Sequence, residues 1–311
     1  MKRRLLFNLT FTAIFLGLFS LIISLFYQDV ARALDQNEFF PTNKTFDLQA
    51  CQQWRNEISS FDLTPKEKAT EITILMYHRV IPEDKLEDNH FEQDGSIVST
   101  IVLKEDFEEQ MQLLHDNGYI TLTLEELALF IKNELDIPKR SIVLTFDDGF
   151  KDNAIEVAPI LREHHFHATS FVITGAVNKY DATYEPGEYQ YFSVDDLHNI
   201  CDVFEFESHT YNFHKRMEDH TPYLTGKPIE EVREDLEASI INLNGQNQAF
   251  ASPYGAFNEE NLALFKELGF NMAFTVVPDT VKPGTDIYQI PRKEIYPRET
   301  IEEFKVKIGL K

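Results

Sequence analysis

The stretch SIVLTFDDG, residues 141–149, joins a short apolar run to two adjacent acids and a glycine. Its β-branched and aromatic residues up to Phe146 predict a strand. Gly149 allows the chain to turn sharply after Asp147 and Asp148. On its own, an Asp-Asp-Gly sequence is typical of an ordinary β-turn. Whether it is an ordinary turn or part of a functional site therefore depends on which reactive residues from the rest of the chain lie close to it.

Similar apolar runs alternate with helical patterns along the chain. We predict further strands at residues 72–77, 169–173, 203–207, 248–252 and 272–276, and helices at residues 104–117, 153–163, 229–243 and 259–268. This alternation predicts an α/β fold, in which helices cover a parallel sheet. The number of strands favours a barrel, complete or incomplete, over an open doubly wound sheet. A dinucleotide site is not indicated, because no Gly-x-Gly-x-x-Gly turn follows a predicted strand.

The reactive residues fall just after predicted strands. These positions are His78, Asp147, Asp148, His209 and the turn formed by residues 253–255. In parallel β/α barrels the carboxyl ends of the strands face one common mouth, so we expect residues far apart in sequence to converge there. Adjacent side chains of a strand point in different directions. One of the two aspartates can therefore bind a metal while the other faces a substrate.

His209 and His214 follow the same predicted strand and could bind one cation. Two histidines and an aspartate form a common facial metal set that leaves positions open for water and substrate. Zinc is the cation that we expect, although nickel, cobalt or iron would accept the same ligands. Other hydrolase classes fit less well. The chain has no Gly-x-Ser-x-Gly elbow, and a glycosidase with two carboxylates would leave the histidine pair unexplained.

Three motifs resemble those of the family-4 carbohydrate esterases, also called NodB-homology polysaccharide deacetylases. Residues 145–149 resemble the first signature, residues 209–214 the second, and residues 252–255 part of the third. They occur in the family's order, and the resemblance extends over roughly residues 72–311. It implies a distorted, incomplete (β/α) barrel. It also implies an enzyme that hydrolyses N-acetyl groups of a polysaccharide with one divalent metal ion.

The opening ILMYHRV, residues 74–80, is similar to the start of biofilm poly-β-1,6-N-acetylglucosamine deacetylases. In that branch the acid histidine lies at the beginning of the domain. The resemblance thus implies an N-acetylglucosamine polysaccharide at the cell surface as the substrate. Two alternatives stay open: deacetylation of peptidoglycan or chitooligosaccharides, and a non-catalytic, membrane-tethered glycan-binding protein on the same fold.

The resemblance implies a role for each reactive residue. Asp147 corresponds to the general base that activates the attacking water, and His78 to the general acid that protonates the leaving amine. The backbone N–H of Tyr254 corresponds to an oxyanion-hole donor. The metal ligands that the resemblance implies are Asp148, His209 and His214.

Two positions depart from the family pattern. Many members carry an arginine at the start of the third motif, where it orients the base, but this chain has Ala251 there. Arg292 is our candidate to replace it, with an ordinary salt bridge as the alternative reading. We assign Pro253 to the same group of substrate-binding or base-orienting residues. The tryptophan of the fourth motif is also missing, because the only tryptophan is Trp54. This absence favours the biofilm-glycan branch.

Composition restricts the classes of molecule that the chain can bind, and cysteine content restricts the kinds of disulfide or metal site that it can form. The chain has 311 residues and a formal net charge of −23, which argues against nucleic acid as a partner because like charges repel. The charge indicates either ordinary solubility or attraction to a cationic glycan. We also expect the protein to be a monomer. The two distant cysteines predict neither a disulfide framework nor a zinc–thiolate site. We expect Cys201 in the core and Cys51 outside the main domain.

The N-terminus predicts that the domain is exported. Basic residues at positions 2–4 precede an uncharged apolar run, residues 5–27, which is long enough to span a membrane as a helix. The basic cluster should stay in the cytoplasm. Residues 31–33 resemble a signal-peptidase site. Residues 1–33 are thus a signal peptide or a membrane anchor. We assign residues 34–70 to a stalk or linker and residues 71–311 to the deacetylase domain.

Overall fold

The computed structural model of the chain describes residues 2–27 and 39–310. It divides into two units, Met1–Glu38 and Phe39–Lys311. In the first unit, helix α1 (Lys2–Leu25) includes the stretch Leu6–Leu25, which is long and apolar enough to cross a membrane by length and composition. The candidate cleavage site at residues 31–33 and the first part of the predicted stalk lie outside the described residues.

A curled parallel sheet forms the centre of the second unit. The strands are β1 Thr73–Tyr77, β2 Arg79–Ile81, β3 Ile101–Leu103, β4 Ile120–Thr121, β5 Ser141–Asp148, β6 Ala168–Val172, β7 Phe204–Ser208, β8 Ala249–Ala251, β9 Met272–Phe274 and β10 Lys293–Glu294. Their order across the main sheet is β10-β1-β5-β6-β7-β8-β9, with β4 joined to β5 and every pairing parallel. β2 and β3 form a separate parallel pair. The prediction of an α/β fold with an incomplete barrel is confirmed.

Helices follow most of the strands and cover the sheet. In the second unit they are α2 Lys104–Asp116, α3 Leu124–Ile131, α4 Ala158–Glu163, α5 Val194–Ile200, α6 Tyr223–Gly226, α7 Ile229–Asn242, α8 Glu259–Glu267 and α9 Ile301–Lys307. Capping boxes begin several of them; Thr123, for example, accepts the Glu126 N–H at the start of α3. Phe107, Met111 and Leu114 recur at helical spacing on α2 and are buried against the sheet.

Side-chain alternation separates the two faces of the sheet. On β5, Leu144 and Phe146 pack with the α2 side chains, whereas Val143 lies in a different apolar cluster with residues of β1, β6, β8 and β9. On β7 the alternate positions Glu205 and Glu207 are acidic and fully buried. A buried carboxylate needs a partner, so these two acids require a cation inside the barrel to compensate their charge.

That cation comes from residues 39–70, which we call the N-terminal arm. Arg55 is buried and donates to the Glu207 carboxylate and to the Gln246 side-chain carbonyl. Its Nε lies 3.8 Å from Glu205. Burial raises the pKa of Glu205 to about 7, although the charge of Arg55 opposes this shift. The arm therefore completes the polar interior of the barrel.

The prediction of a stalk is wrong from Phe39 onward, because the N-terminal arm packs into the domain. Phe40, Phe46 and Leu48 belong to the main hydrophobic cluster and are buried. The Phe46 N–H donates to the Asn242 carbonyl at 2.9 Å. The Gln52 side chain donates to the Phe204 carbonyl at 2.8 Å. Few apolar residues make these contacts, so the arm shows no helix or strand periodicity that would have predicted its burial.

A disulfide links the arm to the barrel. Cys51 and Cys201 are bonded, with their Cα atoms 5.8 Å apart, and they are 150 positions apart in sequence. Cys201 is buried, as predicted. The sequence did not predict this bond, and the expectation that Cys51 lies outside the domain is wrong, because docking of the arm brings residues distant in sequence within bonding range.

Loss of this disulfide should measurably weaken the fold. We expect Cys51→Ser to lower the free energy of unfolding by about 2–5 kcal/mol, because the unfolded chain is no longer cross-linked. Urea denaturation of the oxidised protein, with and without reductant, measures the effect. Reductant should destabilise the unsubstituted protein by a similar amount and leave Cys51→Ser unchanged. Equal stability of all four samples would show that the bond contributes nothing.

Candidate active site

The register of the sheet brings the predicted reactive residues to one edge. Tyr77, the last residue of β1, pairs with Phe146 on β5, so the next residues, His78 and Asp147, lie side by side. Asp148 pairs with Val172, which pairs with Ser208, the residue before His209. The converging carboxyl ends of parallel strands therefore place these groups at a common mouth.

Asp148, His209 and His214 form a cluster that could hold a metal ion. One ligand atom from each lies within 4.8 Å of the other two. Asp148 Oδ1 is 3.4 Å from His209 Nε2 and 3.3 Å from His214 Nε2. This oxygen is buried and accepts no hydrogen bond among the described residues. A carboxylate oxygen facing two imidazole nitrogens is a donor set suited to a divalent transition metal.

The surroundings of His209 prepare its Nε2 for a cation. The Nδ1 atom lies 2.8 Å from the Ala251 carbonyl, which as an acceptor places the ring proton on Nδ1. Burial lowers the pKa of His209 to about 4, against the opposing effect of Asp147. The imidazole is therefore neutral near pH 7, with a free lone pair on Nε2. The backbone carbonyl of Ala251 thus contributes to the site by orienting His209.

Arg292 holds Asp147 in a bidentate pair. The Nη1–Oδ1 and Nη2–Oδ2 distances are 2.7 and 2.8 Å, and both residues are buried. The guanidinium also donates to the Thr275 carbonyl at 3.1 Å and to Thr145 Oγ1 at 3.2 Å. Burial would raise the pKa of Asp147, but the charge and hydrogen bonds of Arg292, together with the nearby histidines, hold that pKa well below its usual range. Asp147 is thus ionised and fixed in orientation.

His78 and Tyr254 complete the mouth. His78 is partly exposed, and its Nδ1 lies 4.0 Å from a Glu294 oxygen on β10. The Tyr254 ring packs on His214 with centroids 4.6 Å apart, and the guanidinium carbon of Arg216 lies over the Tyr254 ring, 4.0 Å from its centroid. Pro253 is buried next to it in a short 3₁₀ turn. The structure therefore brings every predicted site residue to this end of the barrel.

The backbone is strained at this mouth. Asp148, Thr210 and Tyr254 have φ values of 74°, 75° and 59°, in the left-handed region that non-glycine residues avoid. Each such residue costs about 1–3 kcal/mol and persists only where the surroundings enforce it.

Glu294 and Arg216 were not predicted from the sequence. Glu294 lies near His78 because its strand, β10, pairs with β1. That strand is only two residues long, so its sequence has no alternation from which a strand could be predicted.

Known proteins share both sequence and fold with this chain. Residues 135–273 match the sequence profile described as polysaccharide deacetylase. The poly-beta-1,6-N-acetyl-D-glucosamine N-deacetylase of Staphylococcus epidermidis is 30% identical over 230 residues, which cover 70% of this chain and 76% of that protein.

Two solved structures have the same fold. The deacetylase PplD of Streptococcus pyogenes, solved with acetate, has a TM-score of 0.64 at 24% identity and covers 77% of this chain and 99% of its own. IcaB from Ammonifex degensii has a TM-score of 0.62 at 20% identity, with coverages of 78% and 97%. Given these matches and the motifs that meet at the mouth of the barrel, the chain belongs to the polysaccharide deacetylase family, the NodB-homology carbohydrate esterases, and is an enzyme that acts on N-acetyl amide bonds.

Proposed function

We propose that this enzyme removes N-acetyl groups from poly-β-1,6-N-acetylglucosamine outside the cytoplasm, with one divalent cation held by Asp148, His209 and His214. The observation that carries the proposal is the gathering of these three ligands beside an aspartate paired to arginine. The glycan is supported by the Staphylococcus epidermidis relative, whose name specifies it.

The residues present fit such a cation. Asp148 Oδ1 is a buried carboxylate oxygen that no donor reaches among residues 2–27 and 39–310, and an anionic atom in this position requires a positive partner. His209 is neutral, and its Nε2 lies 3.4 Å from that oxygen. Zinc suits this ligand set best, and nickel, cobalt or iron can use the same atoms. A bound cation would polarise the acetyl carbonyl and lower the pKa of water.

The side chains supply the remaining steps of amide hydrolysis. The Asp147 carboxylate takes a proton from water as the water oxygen attacks the acetyl carbon, while Arg292 keeps both carboxylate oxygens in place. The Tyr254 N–H stabilises the negative charge that develops on the carbonyl oxygen. As the C–N bond breaks, His78, whose Nδ1 lies 4.0 Å from a Glu294 oxygen, donates a proton to the nitrogen. The products are acetate and a glucosamine residue.

The proposed location rests on two observations. The helix containing Leu6–Leu25 fits a signal sequence or a membrane anchor. The Cys51–Cys201 disulfide is of the kind that persists in oxidising compartments outside the cytoplasm. We therefore propose an extracytoplasmic, cell-surface enzyme that acts as a monomer.

Acetate release from three glycans tests the substrate. We expect kcat/KM on β-1,6-linked N-acetylglucosamine oligomers to exceed that on chitin oligomers and peptidoglycan by about tenfold or more, a typical discrimination by pocket shape. All three are assayed side by side with the zinc-loaded protein. Preference for chitin oligomers or peptidoglycan would reassign the substrate. Binding of a glycan without acetate release from any of them would support the non-catalytic alternative.

A further inference from the structure

The backbone between the two candidate histidine ligands is held by a carboxylate from another element. Asp235 lies on α7 and is buried, with a side chain that reaches the loop joining His209 to His214. Its Oδ1 accepts the Tyr211 N–H at 2.8 Å, and its Oδ2 accepts the Asn212 N–H at 2.7 Å. The two oxygens of one carboxylate thus accept hydrogen bonds from two consecutive backbone N–H groups.

We propose that Asp235 is a positioning residue for the metal site, which fixes the loop so that His214 meets the cation bound by Asp148 and His209. This inference rests on the metal site of the proposed function. It assigns to Asp235 no contact with the substrate or with the reacting atoms.

His214 depends on the loop more than the other two ligands do. His209 directly follows β7 and is anchored by the Ala251 carbonyl, with a side chain only 2% exposed. Asp148 is the last residue of β5. The side chain of His214 is 23% exposed and lies beyond a turn in which Thr210 adopts a positive φ of 75°. The path of the backbone through residues 210–212 therefore sets where the His214 imidazole lies.

The opposite side of the same loop is fixed as well. The Gly175 N–H donates to the Tyr211 carbonyl at 2.9 Å, and the Thr174 N–H donates to the Thr210 carbonyl at 3.1 Å. A Cβ at Gly175 would lie 2.5 Å from the Tyr211 oxygen, so the two backbones are in close contact. The Tyr211 hydroxyl donates to the Phe40 carbonyl of the N-terminal arm at 2.7 Å. Asp235 thus accepts hydrogen bonds from two N–H groups of this loop, while carbonyl groups of the same loop accept hydrogen bonds from Thr174 and Gly175.

Asp235→Asn is the sharpest change. It keeps the shape of the side chain but replaces one acceptor oxygen with an NH₂ group, which must then face a backbone N–H donor. We expect the dissociation constant for zinc to rise by about 10–100-fold, the usual effect of losing a partner that orients a ligand. Competition with a chromophoric chelator measures it at about pH 8, above the pKa of about 7 to which burial raises Asp235. The matched control is Glu237→Gln, an exposed acid on the same helix, which should bind zinc normally.

Two further measurements separate positioning from general stability. Excess zinc should restore kcat of Asp235→Asn close to the unsubstituted value, whereas simple misfolding would not respond to metal. Amide hydrogen exchange should accelerate at residues 209–214 and stay unchanged in the strands. A folded Asp235→Asn protein with normal zinc affinity would overturn the proposal, as would an unsubstituted protein that binds no zinc.

The unsubstituted protein provides a test of its own, should Asp235→Asn fail to fold. The amides of Tyr211 and Asn212 should exchange slowly before zinc is added, and rapid exchange in the folded protein would contradict the proposal. Zinc affinity is measured without any glycan, so the outcome is independent of the proposed substrate. A protein that releases no acetate but loses zinc affinity on Asp235→Asn would refute the activity and leave the role of Asp235 standing.

Discussion

Replacement of Asp147 by asparagine is expected to lower kcat for acetate release by about 10²–10⁴-fold, the contribution of general acid–base catalysis, without loss of zinc. Asparagine has nearly the same shape and can still accept one hydrogen bond from Arg292, but it cannot take a proton from water. Because Asp147 is paired to Arg292 and lies outside the Asp148–His209–His214 set, the metal ligands stay in place. Single-turnover assays and metal analysis of the same sample measure both quantities.

The control for this variant must also remove a buried acid charge. Asp196 is buried, pairs with Lys151 at 2.7 Å and caps α5. Asp196→Asn should therefore lower stability while kcat of the folded protein stays normal. Full acetate release by Asp147→Asn would show that another group is the base. Loss of zinc from Asp147→Asn would instead mean that Asp147 belongs to the metal site.

Asp148→Ala should abolish both metal binding and turnover. Asp148 Oδ1 lies within 3.4 Å of both imidazole Nε2 atoms, so its removal deletes the one anionic member of the set. We expect zinc affinity to fall by more than about 100-fold, the upper limit for losing a partner that only orients a ligand. Equilibrium dialysis against zinc and acetate release at low and high zinc concentration measure the loss.

Two histidine variants make this result interpretable. His214→Ala removes a second ligand and should reproduce the loss of zinc. His198→Ala removes an exposed histidine on α5 and should change neither zinc binding nor turnover. Because Asp148 has a positive φ that alanine tolerates poorly, thermal unfolding of each variant shows whether the fold survives. If folded Asp148→Ala kept its zinc, the cation would have to bind elsewhere.

The sheet and the site were predictable from the sequence for the same physical reason. The β-branched and aromatic residues of runs such as 141–146 predict strands, and the carboxyl ends of parallel strands meet at one mouth. His78, Asp147 and His209 could therefore be grouped without any knowledge of distance. Arg292 was harder, because an arginine that holds a base and one that forms an ordinary ion pair look alike in sequence. Only its two contacts of 2.7 and 2.8 Å with Asp147 separate the readings.

The N-terminal arm shows where such prediction fails. Arg55 is surrounded by polar residues in the sequence, as exposed residues usually are, and its partners Glu207 and Gln246 come much later in the chain. Pairing of this kind leaves no periodic signal. Buried acids at alternate positions of a strand, Glu205 and Glu207, were the available clue. A barrel with acids facing inward must obtain a cation from outside its own strands.

The position of the arm also constrains the order in which this protein can mature. The arm is made first, yet its contacts with Cys201, Asn242 and Gln246 join residues 150–201 positions apart. Contacts of such high sequence separation form late in folding. Until those partner residues have emerged, Cys51 must therefore exist as a free thiol and Arg55 as a solvated cation. We expect trapping experiments on nascent chains to find Cys51 reactive toward thiol reagents until the strand after Asn242 has emerged.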